Sequence, residues 1–135
     1  MSTSALVLTL FIAWALLLLV LMEGIRSYLV LSGRAKSNEF KPDNANLSPF
    51  LQRLARAHAN CIEGLPIIGG LLLVAIAKSR TGFTDALAPW VLLARVAQSI
   101  THLVSVSVLA VNLRFFFFSV QLMIAVYWTW VLLTR

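Results

Sequence analysis

Three helical faces in this sequence carry polar residues within otherwise apolar segments. Residues that lie three, four or seven positions apart share one face of an α-helix, which turns by about 100° per residue. The three faces contain Arg56, Asn60 and Glu63; Arg95, Gln98, Ser99 and His102; and Arg114 and Gln121. Arginine is the dominant charge among them, and it gives carboxylates bidentate hydrogen bonds while remaining charged. The spacing therefore predicts a binding site for an anionic ligand.

The same charges also have a structural interpretation. Arg56 or Arg95 could form a salt bridge with Glu63 that holds the helices together. Positive charges outnumber negative ones within these segments, so some arginines would still lack a protein partner. Glu63 could instead contact an ammonium group of the ligand. Both roles of Glu63 remain open from the sequence.

The composition indicates an integral membrane protein. Of the 135 residues, 60% are hydrophobic and 12% are charged, whereas a soluble domain is about 45–50% apolar and about 25% charged. A chain of this length cannot bury so much apolar surface in its own core, which excludes a soluble enzyme. The net charge of +6 is scattered without a basic block, so no nucleic-acid partner is expected. The single cysteine, Cys61, excludes an intrachain disulfide, and two unpatterned histidines predict no metal site.

Four segments are long and apolar enough to predict membrane helices of about 20 residues or more. They cover residues 5–31, 49–77, 86–110 and 113–133, with a polar loop at 32–48 and a tight turn at Asn112. The predicted fold is therefore all-α: one integral-membrane domain over residues 1–135, built as a four-transmembrane-helix bundle.

Basic residues near the helix ends predict the orientation of this bundle. One side of the membrane receives Arg34, Lys36, Lys41, Arg53, Arg56 and Arg114, and the other side receives Lys78, Arg80 and Arg135. Cytoplasmic loops carry the excess of lysine and arginine. We therefore expect the first loop, residues 32–48, to be cytoplasmic. The short loops suit a bacterial inner membrane, which is the expected location, as well as an organelle membrane.

The segment 56–66, RAHANCIEGLP, resembles the second-helix signature of the MAPEG family, the membrane-associated proteins in eicosanoid and glutathione metabolism. That signature reads roughly Arg-Ala-His/Gln-x-Asn-x-x-Glu-x-x-Pro. It follows the first span and its polar loop here, so the resemblance covers essentially the whole chain. The resemblance implies a left-handed four-helix membrane bundle that forms a homotrimer and binds glutathione between subunits, with membrane lipids around it.

The resemblance also implies a set of site residues. The expected glutathione-binding residues are Arg34, Arg56, Asn60, Glu63, Arg95 and His102. Arg114 resembles the arginine that opens the family's fourth helix and lies beside the glutathione sulfur, which would make it the catalytic residue. A positive charge at that place favours the thiolate, and the thiolate is the nucleophile.

Three functions are compatible with these features. The leading one is a membrane-bound glutathione transferase or peroxidase that acts on lipophilic electrophiles or lipid hydroperoxides. The alternative is a non-catalytic lipid-binding or accessory subunit, because the third helix lacks the tyrosine of several members and Phe118 replaces another. The third is an exporter of cationic compounds through Glu63, which ranks last because the neighbouring arginines would repel cations.

Overall fold

The computed structural model describes all 135 residues as a bundle of four helices. They are α1 (Thr3–Leu31), α2 (Pro49–Ala77), α3 (Ala88–Val104) and α4 (Val108–Thr134). The predicted all-α fold is confirmed. Three helices, α1, α2 and α4, are long and apolar enough to cross a membrane. The fourth, α3, has 17 residues and a length of about 26 Å, which is less than the roughly 30 Å of a bilayer's hydrocarbon core.

Helices α2 and α3 form the centre of the bundle. Each of them contacts all three other helices, whereas α1 and α4 do not contact each other. The apolar core between the helices contains Val7, Phe11, Leu18, Leu54, Leu72, Val91 and Trp128. Long apolar side chains cover the outward faces of α1 and α4, among them Leu16, Val20, Met123 and Trp130. A surface of this kind suits contact with lipid chains.

Serine side chains fix where three of the helices begin. Ser2, Ser48 and Ser107 each accept a hydrogen bond from the backbone N–H three residues later. Such a bond satisfies one of the N–H groups that have no partner within the first helical turn. The predicted range 49–77 of the second helix is confirmed, and the first helix begins at Thr3 rather than at residue 5.

The predicted turn at Asn112 is wrong, and with it the ranges 86–110 and 113–133. Asn112 lies inside α4, and the chain turns at residues 105–107 instead. Ser105 adopts an extended backbone, and its hydroxyl accepts a hydrogen bond from the N–H of Ser107 at 3.0 Å. These serine contacts compete with the helical hydrogen bonds and end α3 early. Helix α4 therefore starts early enough to place Arg114 in its second turn, beside the end of α3.

Hydrogen bonds from side chains fasten the loops at the two ends of the bundle. At one end, the Ser4 hydroxyl and backbone N–H donate to Asp85 Oδ1 at 2.6 and 2.8 Å. At the other end, Arg26 donates from Nε and Nη2 to Asn44 Oδ1 at 3.1 and 2.5 Å. Asn44 Nδ2 then donates to the Leu51 carbonyl at 2.8 Å. The first loop is thus held against α1 and the first turn of α2.

Replacement of Asn44 tests this attachment. Asn44 is fully buried and has a left-handed φ of 55°, which an alanine adopts less readily than asparagine. We expect Asn44→Ala to lower the free energy of unfolding by about 2–3 kcal/mol, because it removes the two hydrogen bonds from Arg26 and the one to the Leu51 carbonyl that fasten the loop. Thermal unfolding in detergent measures the change. Asn38→Ala, at an exposed position, is the control, and equal melting temperatures for the two variants would contradict the role of Asn44.

Candidate functional site: a groove between α2, α3 and α4

The polar faces predicted on three helices meet at α3. The polar residues of α3 itself are almost completely buried: Arg95, Gln98 and His102 are 1%, 2% and 8% exposed. The residues brought together are Asn60 from α2, Arg95, Gln98 and His102 from α3, and Arg114 and Gln121 from α4. The helical phases derived from the sequence for these residues are therefore correct.

Asn60 is the centre of a hydrogen-bond network. Arg95 Nη1 donates to Asn60 Oδ1 at 2.7 Å and to the Asn60 backbone carbonyl at 3.2 Å. Gln98 Nε2 donates to the same Oδ1 at 2.8 Å. Because a guanidinium can only donate, the amide oxygen of Asn60 must be the atom that faces Arg95. The Asn60 Nδ2 group consequently has no partner in the chain and can donate to a ligand.

The direction of the network continues into α4. The amide nitrogen of Gln98 is used by Asn60, so its Oε1 faces Gln121 and accepts from Gln121 Nε2 at 2.9 Å. Gln121 Nε2 also donates to the Phe117 carbonyl at 3.1 Å. Every donor is thus directed along the series Gln121, Gln98, Asn60. Two buried atoms have no partner at its ends, namely Gln121 Oε1 and Arg95 Nε.

Arg114 is bound to His102. Arg114 Nη1 and His102 Nδ1 are 2.8 Å apart. Since the arginine donates, Nδ1 must accept, and the imidazole is therefore neutral with its proton on Nε2. The Nε2 atom is buried and has no partner in the chain. His102 thus holds the Arg114 guanidinium at the junction of α3 and α4 and has one free donor of its own.

No salt bridge joins the polar faces. The predicted alternative, in which Glu63 forms a salt bridge with Arg56 or Arg95, is therefore wrong within a single chain. The only ion pair links Arg26 and Glu23 at 3.1 Å. Arg95 is surrounded instead by the oxygens of Asn60 and by the ring of Phe11, whose centroid lies 5.6 Å from the guanidinium carbon. Arg56 and Glu63 are both exposed. Their charges remain available to a ligand or to another subunit.

Two cavities open along the groove, and Phe118 lines both of them. The outer cavity, of about 240 Å³, lies towards the start of α4 and is lined by Asn60, Gln98, His102, Val111, Arg114, Phe115 and Phe118. The inner cavity, of about 230 Å³, lies deeper along α4 and is lined by Glu63, Gly64, Ile67, Ile68, Arg95, Phe118, Gln121, Leu122 and Ala125. The outer cavity contains no carboxylate, whereas Glu63 borders the inner one.

The structure divides the predicted site residues between the two cavities and positions outside them. Asn60, His102 and Arg114 line the outer cavity, and Glu63 and Arg95 line the inner cavity. Arg56 borders neither of these two cavities. Arg34 is also outside them: it lies in the loop after α1, with its guanidinium 5.8 Å from the ring of Tyr28. Within one chain, neither Arg34 nor Arg56 is in the groove.

Gly64 is a site residue that the sequence analysis missed. A Cβ atom at this position would come too close to Arg95 Nη2 to be accommodated without displacing it. The absent side chain therefore makes room for the buried guanidinium. The available signal was its position four residues after Asn60, which places Gly64 on the same face one turn further along α2.

Comparison with known proteins yields one match. A family model, described as the MAPEG family, matches residues 4–134 and so includes all four helices and the whole groove. No curated protein and no solved structure matches the chain. The link between this groove and known chemistry therefore comes from the family as a whole.

The close contact at Gly64 gives a test of the network. We expect Gly64→Ala to destabilise the protein by about 1–3 kcal/mol, because the added methyl group displaces the Arg95 guanidinium from Asn60. The matched control is Gly24→Ala on α1, where a Cβ would meet nothing within 4 Å. Thermal unfolding in detergent compares the two. A Gly64→Ala protein as stable as Gly24→Ala would show that Arg95 is not confined as described.

Proposed function

The chain belongs to the MAPEG family, and on that basis we propose that it binds glutathione in the groove between α2, α3 and α4 and presents it to lipophilic molecules in the membrane. Family membership supports a membrane role in glutathione or eicosanoid metabolism in general. The finer proposal depends on one observation, which is the excess of free hydrogen-bond donors in the outer cavity.

The donors of the outer cavity fit a carboxylate. Asn60 Nδ2 and His102 Nε2 have no partner in the chain, and Arg114 retains donors beyond the one used by His102. Glutathione carries two carboxylates and one ammonium group, so its binding needs charges of both signs. Arg56 and Glu63 supply them on the same face of α2, without a partner of their own in the chain.

Arg114 is the residue we assign to the chemistry. When glutathione is bound, it supplies a thiol that acts as the nucleophile in its thiolate form. The Arg114 guanidinium is the cation nearest the start of α4 in the outer cavity, and a nearby positive charge favours a thiolate over a thiol. His102 fixes the position of this charge. The second substrate, a lipophilic electrophile or hydroperoxide, would reach the groove from the lipid.

We also propose that the protein is a homotrimer whose subunits complete one another's sites. Exposed charges such as Arg56 and Glu63 are costly within a membrane helix unless a partner covers them. A neighbouring subunit and the bound ligand would provide that cover. Arg34, which is outside the groove of its own chain, would then contact the ligand of the adjacent subunit. We place the first loop and the outer cavity on the cytoplasmic side of a bacterial inner membrane.

Equilibrium binding of glutathione to the detergent-solubilised protein tests the site. We expect Arg56→Ala and Glu63→Ala each to weaken binding about tenfold or more, since each removes a charge-assisted contact. His58→Ala should bind as the unmodified protein does, because His58 lies on a different face of α2.

Two outcomes would count against the assignment. Equal loss in all three variants would contradict the helical face, and an absence of binding to folded protein would contradict the glutathione site itself. Saturable binding without turnover of any electrophile or hydroperoxide would favour the non-catalytic lipid-binding or accessory subunit.

A matched pair of substitutions tests the support of Arg114 by His102. Asparagine at this position can place its Oδ1 where His102 Nδ1 lies, and so keep the acceptor for Arg114, whereas glutamine places its oxygen at the Nε2 position. We expect His102→Asn to retain kcat within about threefold and His102→Gln to lower it about tenfold, because the guanidinium is then mispositioned.

The measurements are the conjugation rate with a model electrophile and the ultraviolet absorbance of bound thiolate, with glutathione affinity recorded beside them. A large loss of affinity in both variants, with thiolate formation unchanged at saturation, would instead make His102 a simple binding residue.

A further inference from the structure

The chain between α3 and α4 forms an apolar protrusion. This segment, the α3–α4 tip, covers residues 104–109 and reads VSVSVL. Its four aliphatic side chains, on Val104, Val106, Val108 and Leu109, are between 58% and 78% exposed. They come from the end of one helix, from the turn and from the start of the next helix, and the rest of the chain covers none of them. A cluster of this kind is stable in an apolar environment rather than in water.

The α3–α4 tip also differs in charge from the other two connections. No aspartate, glutamate, lysine or arginine lies between Arg95 and Arg114. The first loop, residues 32–48, contains five such residues, and the connection at residues 78–87 contains three. Ionised groups hold a loop in the water or at the lipid head groups, because their transfer into hydrocarbon is costly. Nothing in the α3–α4 tip opposes such a transfer.

The length of α3 indicates which of its ends lies within the bilayer. Its 17 residues extend about 26 Å, which is less than the roughly 30 Å of the hydrocarbon core. Its first residue, Ala88, follows a charged connection in which Asp85 is bound to Ser4, in the first turn of α1. That connection stays at the aqueous boundary. The end of α3 that falls short of the opposite boundary is therefore the end at the α3–α4 tip.

Hydrogen bonds within the chain prepare the α3–α4 tip for an environment without water. The carbonyl of Leu103 accepts from Arg53 Nε at 2.9 Å. The hydroxyls of Ser105 and Ser107 accept from the N–H groups of Ser107 and Ala110 at 3.0 and 3.2 Å. Backbone groups at helix ends lack a partner within the helix and often bond to water. Since these groups are bonded within the chain, their transfer out of water costs less.

We propose that the α3–α4 tip inserts into the bilayer, among the acyl chains just below the head groups of the adjacent leaflet. The alternating sequence fits this position, because the serine hydroxyls bond to the backbone while the valines contact lipid. Arg53 is charged, so its bond to Leu103 keeps the end of α3 near the head groups and the insertion shallow. A depth of about 5–10 Å is typical of apolar elements in the interface. The proposal does not depend on glutathione.

Two other environments fit the α3–α4 tip less well. Water would surround four aliphatic side chains without a single charged neighbour in the segment. A neighbouring subunit would cover one side of the protrusion, whereas side chains from α3, from the turn and from α4 are exposed together. Acyl chains surround a protrusion from every side, so they account for the exposure of all four residues.

The accessibility of spin labels in lipid nanodiscs tests the proposal. Single cysteines are introduced into the full-length Cys61→Ala protein, which lacks the only native cysteine. The variants are Val106→Cys in the α3–α4 tip, Asn38→Cys in the first loop and Met123→Cys on the exposed face of α4. A nickel chelate reports contact with water, and molecular oxygen, which concentrates among acyl chains, reports contact with lipid.

The two control positions define the results expected for water and for lipid. We expect the nickel chelate to relax the label at position 106 at least about fivefold less than the label at position 38, because the tip lies below the head groups. Oxygen should relax the label at position 106 to a degree closer to that at position 123 than to that at position 38.

A second readout needs no bulky label and uses a second position. Val106→Cys and Leu109→Cys should each react at least about tenfold more slowly than Asn38→Cys with a charged thiosulfonate reagent, because a thiol in lipid forms little thiolate. If one of the two tip variants does not fold, the other supplies the result. Thermal unfolding in detergent shows which variants are folded.

Two results would overturn the proposal. Relaxation by the nickel chelate as strong at position 106 as at position 38 would place the α3–α4 tip in water. Shielding of position 106 from both the nickel chelate and oxygen would show that a neighbouring subunit covers the tip.

Discussion

A buried guanidinium without a carboxylate partner determines the arrangement of the groove. Arg95 is 1% exposed, and the oxygens of Asn60 replace the counter-ion that such a charge usually has. Because Arg95 only donates, it fixes the orientation of the Asn60 amide, and through it those of Gln98 and Gln121. Gly64 provides the space that this arrangement needs. Three helices are thus held in one relative position by a single donor-only side chain.

The absence of an internal salt bridge also decides what the groove can bind. A salt bridge between Arg95 and Glu63 would neutralise both charges and leave little positive potential to attract an anion. Here the buried cation keeps its charge, with amide oxygens and the face of Phe11 around it. Glu63 and Arg56 remain at the surface. The protein thereby has an electropositive interior next to a surface that offers charges of both signs.

Local patterns in the sequence predicted the parts of the structure that depend on helical periodicity. The polar faces at Asn60, at Arg95 and at Arg114 follow from residue spacing, and the hydrophobic segments indicated an all-α fold. The end of α3 could not be predicted from the residue spacing. It depends on which polar side chain accepts a hydrogen bond from the nearby backbone, and Ser105 and Ser107 do so whereas Asn112 does not. The separation of Arg34 from the groove and the close contact at Gly64 depend on packing between helices, which periodicity does not describe.

The amide groups of the network have a consequence for the membrane itself. A polar path through a bilayer endangers the ion gradients that the membrane maintains if its groups can take up and release protons. Between Asn60 and Gln121 the hydrogen bonds are made by Asn60, Gln98 and Gln121 side chains, whose amides do not ionise. Hydrogen bonds to the neighbouring side chains also prevent each amide from rotating by 180°. This part of the network can therefore be polar at the centre of the bundle without itself relaying protons.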